Sequence, residues 1–351
     1  MSRQKTRIGR RHLLAASATL PALFATARAQ PAASKITPDL LAAARQEGKV
    51  SHYTSDDLAL ATKLAKAFEE KYPGIKLQLE RTGSERVYQR VSQEYASGIH
   101  EADVVTSADL GFVVAWKQQG MLTQYMPEET LSWSADARDK DGFYTLENFT
   151  LFVMGYNSRL LQPADAPKTW TDLLDPKWKG KMVKGHPGYS GTIMNGTYAL
   201  SNLFGWEYFE KLAKQQVMQV QSAGDPPMRA AQGERVVMAD AAESVVFRIQ
   251  QQGAPLAIIY PKEGVPVVPI GVAIMKQPKN PNAARLLIHF LTSREGQQII
   301  TDTGGRSFHP QVKPQAHWEP LAAMKLIFND PAALARDAEG VKKRYTQIFG
   351  T

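Results

Sequence analysis

The chain has 351 residues, 43% hydrophobic, 22% charged and 9% aromatic, enough for a substantial core and for two units of about 100–200 residues each. It contains no cysteine, so disulfide scaffolds, thiolate nucleophiles, iron–sulfur clusters and Cys-ligated zinc are excluded. Of the +8 net charge, six positives fall in residues 1–29, where no acid occurs, so the body carries +2 and lacks the clustered cations that nucleic-acid binding needs.

Those N-terminal residues read as an export signal. Arg3, Lys5, Arg7, Arg10 and Arg11 precede an apolar stretch from Leu13 to Phe24, and Ala27-Arg28-Ala29 forms a small-x-small cleavage pattern. Cleavage there would leave a chain starting near Gln30. Gly9-Arg10-Arg11-His12-Leu13-Leu14 resembles a twin-arginine export motif, although Gly9 stands where Ser or Thr is usual and Leu13 where Phe is. An ordinary secretory signal holding two arginines is the alternative. Since no cysteine follows the apolar stretch, a lipid anchor is not expected, and either route ends outside the cytoplasm.

From Lys49 short β-like runs alternate with amphipathic helices. Residues 49–53 predict a strand; Leu60, Leu64, Ala67 and Phe68 then share a helical face until Tyr72-Pro73-Gly74 stops it. Ile75 to Glu80 alternates with period two, Val87, Val91 and Tyr95 mark a second helix, 102–105 a strand, and Phe112, Val113 and Trp116 a third helix ending at Gly120. The same grammar restarts after residue 180, with strands near 181–184, 217–220, 236–239 and 256–260. Residues 143–156 and 265–275 are also strand-like and predict crossings between two α/β units. Beyond Pro281 the chain turns helical; after a Pro-bearing stretch at 310–320, two terminal helices are expected to pack back on the first unit. The expected division is therefore 36–148 plus 270–351 for the first lobe and 157–262 for the second, with crossings near 149–156 and 263–269.

In open α/β sheets ligands bind beyond the carboxyl ends of the strands, where helix N-termini present free N–H groups. That rule selects Tyr53, Thr54 and Ser55; Arg81, Thr82 and Ser84; Ser107; and, in the second unit, Tyr189, Ser190, Gly191 and Thr192. Each hydroxyl also suits plain helix capping, worth about 0.5–2 kcal/mol without any ligand. Arg81 could bind an anion by a charge-assisted bond or pair with Glu80 or Glu85. Asp240 and Glu243 follow the strand at 236–239, where an acid could meet an amine, cap a helix or face solvent; Tyr53, Tyr189 and Tyr260 stand where a cleft would have an aromatic wall. Enzyme motifs fail: Gly188-Tyr189-Ser190-Gly191-Thr192 lacks the last glycine of a nucleophile elbow, no P-loop or dinucleotide fingerprint occurs, and the seven histidines show no metal-ligand spacing.

The ordered segments over residues 46–310 resemble the periplasmic solute-binding proteins of ABC importers, in the iron(III)/thiamine/phosphonate-type branch. The likeness is carried by Gly155-Tyr156-Asn157-Ser158, by Pro167 to Lys181 (PKTWTDLLDPKWKGK), by Gly253-Ala254-Pro255, by Asn280 to Arg285 and by Ser293 to Gln298. It implies a two-lobed, type II-like fold, each lobe a sheet flanked by helices and the two joined by crossing strands. It further implies a monomer without cofactor that closes on a small solute in the periplasm and docks on permease subunits. Iron-binding members carry adjacent tyrosines after the strand occupied here by 236–239; this chain has Asp240-Ala241-Ala242-Glu243 there and no Tyr-Tyr pair. A small organic anion or zwitterion is thus the expected solute, with ferric ion the alternative and an extracytoplasmic hydrolase the less favoured third reading.

Overall fold

The computed structural model describes residues 31–351, so the export-signal reading of 1–29 lies outside the described residues. The chain begins with a helix the sequence pattern did not single out, α1 (Pro38–Glu47), started by Pro38 and by Thr37, whose Oγ1 accepts the Leu40 N–H at 3.1 Å. Then come β1 (Lys49–Thr54), α2 (Leu58–Lys71), β2 (Lys76–Arg81), α3 (Ser84–Ala96), β3 (Val104–Ser107) and α4 (Leu110–Gln118), in the alternation that the apolar spacing predicts. The long β4 (Thr145–Asn157) leads to β5 (Met182–Gly185), α5 (Gly191–Phe204), α6 (Trp206–Ala213), β6 (Met218–Val220), α7 (Asp225–Ala231), β7 (Val237–Ala242), α8 (Glu243–Gln251) and β8 (Leu256–Ile259). β9 (Val265–Ile274), α9 (Pro281–Thr292), α10 (Arg294–Asp302), β10 (Leu326–Ile327) and α11 (Pro331–Phe349) complete the chain.

The strands form one mixed sheet in the order β2-β1-β3-β9-β4-β7-β5-β6, with β10 on β9 and β8 on β4. β1 runs parallel to β2 and β3, and β5 runs parallel to β6 and β7. Two antiparallel strands connect these sets. β9 pairs with β3 (Val105 opposite Ala273), and β4 pairs along its first half with β9 (Leu151 opposite Val267) and along its second with β7 and β8 (Phe152 opposite Ala242, Met154 opposite Ile259). All thirteen residues of β4 are buried, including Glu147, Asn148 and Thr150, because the strand lies in the middle of the sheet.

Each parallel set is covered on both faces. Around β1–β3, Phe68, Leu287 and Phe290 fill one face, and Val87, Val113 and Trp116 fill the other. Around β5–β7, Phe152, Trp170 and Phe209 lie on one side and Val246, Ile249 and Val153 on the other. Each such side chain contributes roughly 1.5–3 kcal/mol by leaving water.

The C-terminal segment departs from expectation. Only one α-helix follows residue 320 among the described residues, after a single 3-10 turn at Leu321–Ala323: the 19-residue α11, capped by Asp330 and begun by Pro331. Nor does it pack on the first lobe alone. Tyr345 enters the second lobe's core, and Leu334, Ala338 and Val341 pack on Met194 and Tyr198 of α5. On its other flank α11 lies against α4, and Lys342 pairs with Glu85 of α3 at 2.6 Å. The physical reason is one apolar stripe, Leu334, Ala338, Val341 and Tyr345, matched to the second lobe, while Ala335 beside Gly111 and Lys342 over Phe112 meet the first.

Candidate functional site

Because helices start where parallel strands end, the turns after β1, β2, β5 and β6 gather exposed N–H groups at one edge of each set. Between those edges lies a cavity of about 660 Å3. The first lobe lines it with Ser55 to Leu58 and Arg81 to Ser84, and the second with Tyr189, Ser190, Thr192 and the turn from Gln221 to Asp225. Ser244, Val245, Arg248 and Ile249 on α8 add a further wall, and Asn148 and Thr150 of β4 with Ile270 of β9 line it between the lobes.

The surrounding helix starts are of two kinds. α2 is capped by Asp57, whose Oδ1 accepts the Ala59 N–H at 3.0 Å; α4 is capped by Asp109 through the Gly111 N–H at 3.0 Å; and α5 is capped by Ser190 through a long 3.4 Å contact with the Ile193 N–H. α3 and α8 begin at Gly83 and Ala242, and neither has a side-chain cap. The first N–H groups of α3 therefore lack a side-chain acceptor, and an anion can serve as one.

Arg81 stands in the same turn. Its Nε donates to the Asp56 carbonyl at 2.7 Å, and among the described residues no carboxylate pairs with its guanidinium. Both partners considered from the sequence are engaged elsewhere, Glu80 with Arg90 at 2.7 Å and Glu85 with Lys342 at 2.6 Å. Ser55, Thr82, Ser84, Tyr189, Ser190 and Thr192 join Arg81 on the cavity surface.

The other residues singled out from the sequence do not line the cavity. Tyr53 is buried in the first lobe, its hydroxyl donating to Glu94 at 3.0 Å and its ring beneath the Arg90 guanidinium; burial first, and Glu94 second, push its pKa up to about 12. Thr54 donates to Asp56 Oδ2 at 2.9 Å, and Ser107 Oγ accepts the Asp109 N–H at 3.1 Å. Asp240 is 1% exposed and paired with Lys184 at 2.7 Å. Glu243 is wholly buried, held by Arg306 at 2.7 and 2.8 Å and by the Tyr260 hydroxyl at 2.6 Å. Neither lines the cavity: β7 runs on to Ala242, so Asp240 lies inside the strand rather than beyond it and only Glu243 stands at its end, and basic partners distant in sequence have taken both.

Gly191 has a different part, at a seam where the lobes touch. A Cβ there would lie 2.5 Å from the Asp109 nitrogen, and one on Gly83 would lie 2.7 Å from the Tyr189 carbonyl oxygen, so both close approaches require glycine. Asn195 Nδ2 donates to the Ala108 carbonyl at 3.2 Å, and Arg248 pairs with Asp57 at 2.6 Å, each contact joining one lobe to the other.

Buried acids surround this seam. Asp56 and Glu147 hydrogen-bond each other, and burial raises both above the usual carboxylate range. Each has one oxygen satisfied, by Thr54 and by Asn148, and one with no ordinary donor, so burial and mutual repulsion disfavour both being ionised at once. Asp109 is likewise raised, to about 7, by burial.

Sequence reasoning missed Thr150, Ser244 and Arg248. Thr150 was within reach, since a strand crossing between lobes must floor their cleft. Arg248 offered no signal: its partner Asp57 is 191 residues away.

Residues 101–324 match the sequence profile of the bacterial extracellular solute-binding proteins. The chain belongs to that family. Among the relatives of this family member, a Sinorhizobium fredii protein named as an ABC transporter periplasmic-binding protein is 24% identical over 60% of this chain and 60% of its own length. A Salmonella typhimurium periplasmic protein named for binding 2-aminoethylphosphonate is 24% identical over 72% and 76%. In structure, this solute-binding protein resembles AfuA of Actinobacillus pleuropneumoniae, determined with fructose-6-phosphate bound, at TM-score 0.79 and 24% identity over 86% of this chain and 99% of that one. It also resembles iron-bound HitA of Pseudomonas aeruginosa, at TM-score 0.74 and 21% identity over 85% and 99%. These likenesses show the two-lobed periplasmic-binding-protein fold.

Proposed function

We propose that this solute-binding protein is the periplasmic receptor of an ABC importer, and that it captures a small organic anion or zwitterion between its lobes. The candidates are a phosphonate, a sugar phosphate, a carboxylate or an amine-bearing acid. The observation that carries this reading is the start of α3, an uncapped helix terminus next to the unpaired guanidinium of Arg81, both on the cavity and both facing Tyr189 and Ser190 of the other lobe. Named ligands of the relatives, 2-aminoethylphosphonate and fructose-6-phosphate, are of the same chemical kind.

The mechanism follows from the two-sided site. Arg81, Thr82, Ser84 and Ser55 hold the anion from the first lobe; Tyr189, Ser190 and Thr192 reach it from the second, so bound solute favours the closed arrangement. A micromolar affinity needs about −8 kcal/mol, within reach of several charge-assisted bonds of roughly 1.5–3 kcal/mol each. Tyr53, Thr54, Ser107 and Gly191 support these turns from behind, while Asp240 with Lys184 braces the second lobe and Glu243 with Tyr260 ties it to Arg306 of the segment 270–351. No bond is made or broken in the solute, and permease and ATPase are separate chains.

In this reading residues 1–29 direct export, by the twin-arginine or the general route, and the protein works as an unanchored monomer. The lobes are 36–148 with 270–351, and 157–262, with α11 lying across both. Ferric ion has less support: among the described residues no three His, Cys, Asp or Glu side chains converge, and Tyr189 faces the cavity without a second tyrosine beside it. Titration calorimetry of the exported protein against phosphonates, sugar phosphates, carboxylates, amines and ferric citrate tests the reading. Reversible one-to-one binding of an organic anion without product is expected; a coloured ferric complex, or turnover of the solute, contradicts it.

A further inference from the structure

We propose that α11 is a latch between the lobes and that Lys342 is its positioning residue: by holding Glu85 it favours the closed arrangement, and so tightens solute binding without touching the solute. This rests on the two-lobed capture reading above and adds to it a residue outside the site.

The first argument is how unequally α11 is anchored. Leu334, Ala338, Val341 and Tyr345 are buried against the second lobe, where the Tyr345 hydroxyl also donates to Gln219 at 2.6 Å. The face it turns to the first lobe carries a small residue and a charge instead: Ala335 against Gly111, and Lys342, which lies 5.7 Å from the Phe112 ring centre and pairs with Glu85 at 2.6 Å. When the lobes part, the buried apolar stripe is the costlier contact to break, so the helix stays with the second lobe.

The second is leverage. Glu85 is the second residue of α3, two beyond Gly83, whose turn meets Tyr189 at the cavity rim. α3 follows β2, which the sheet order puts three strands from the crossing strand β9, about 14 Å at ordinary strand spacing. Ala108, which Asn195 meets at 3.2 Å, follows β3 beside β9. Rotation about the crossing strands therefore separates Glu85 from Lys342 more than it separates Ala108 from Asn195.

The third is that the pair is ready-made. Its side chains are only 19% and 17% exposed, so salt weakens it much less than a surface pair. Gln89 donates to the other Glu85 oxygen at 3.0 Å, and Glu339 accepts from Lys342 at 2.8 Å. Each of these partners lies on the same helix as the group it holds, so both ends keep their aim when the lobes are apart. Neither Glu85 nor Lys342 lines the cavity.

The chain has no cysteine, so Ser97→Cys in the first lobe and Lys211→Cys in the second, both exposed, can carry a pair of spin labels. Distances measured without solute should show a closed, short-distance population. It should fall about threefold or more in Lys342→Met and equally in Glu85→Gln, with the double variant losing no more than either. In calorimetry with methylphosphonate, 2-aminoethylphosphonate and fructose-6-phosphate, any probe that binds the wild type should bind each variant about three- to tenfold more weakly. Unchanged distances, or a shift in Lys342→Met that Glu85→Gln does not share, overturn the latch while solute capture stands. If no probe binds, the capture reading fails, and the solute-free distances still decide the latch.

Discussion

The carboxyl ends of β2, β5 and β7 occupy equivalent places, each leading into a helix, yet the polar groups there have different fates. Arg81, Thr82, Ser84, Ser190 and Thr192 face the cavity. Asp240 and Glu243 are buried against Lys184 and Arg306 and contribute rigidity instead. Position in the sheet locates a cleft; partners brought in from elsewhere in the chain decide which side chains remain available to a solute.

The sharpest way to break that comparison is at Glu243. Glu243→Ala leaves the Arg306 guanidinium buried without its carboxylate, and the expected loss is about 3–5 kcal/mol in urea unfolding. Replacing both residues with methionine should recover most of it, because two neutral side chains leave no orphaned charge. A Glu243→Ala protein as stable as its parent would erase the distinction between the two turns. Arg81→Ala should do the opposite, lowering affinity for an organic anion about tenfold or more, by roughly 1.5–3 kcal/mol in calorimetry, with stability changed by less than about 0.5 kcal/mol.

Two smaller effects sharpen the seam between lobes. Gly83→Ala places a Cβ 2.7 Å from the Tyr189 carbonyl oxygen, so closure is hindered; solute affinity should fall by about 1–3 kcal/mol, and ligand-induced compaction in small-angle scattering should shrink. Asp109 supplies the pH dependence. Burial holds it at about 7 in the folded protein, against an ordinary value near 3.9 in the unfolded chain. The native state therefore binds this proton more tightly, so its stabilisation is full below about pH 4, declines as pH rises through about 7 and is level above. Between pH 6 and 8 the loss is about 1.4 kcal/mol, and Asp109→Asn should flatten that part of the urea-midpoint profile.

Much of this architecture was legible in the residues because its signals are local. A short β-like run marks β1 and a period-two run marks β2, fourfold spacing of Val87, Val91 and Tyr95 marks α3, and the strand-end rule leads to Arg81 and Ser190. α1 was less visible, since its stability depends on packing against α9, more than two hundred residues away. The C-terminal region read as two helices, but only Asp330-Pro331 supplies a cap and a start, and a single helix follows. Its lobe assignment was hidden for a related reason: nothing near Tyr345 in sequence says that its hydroxyl will meet Gln219 at 2.6 Å. Likewise, the strand-end rule brings Glu243 to the rim, and only Arg306, 63 residues on, takes it away again.

The most direct test is a calorimetric titration of wild-type and Arg81→Ala protein, side by side, with a panel of organophosphates and organophosphonates. The account predicts saturable one-to-one binding of at least one of them to the wild type, weakened about tenfold or more in the variant. Heats indistinguishable from dilution across the panel, or equal affinity in the two proteins, would contradict it.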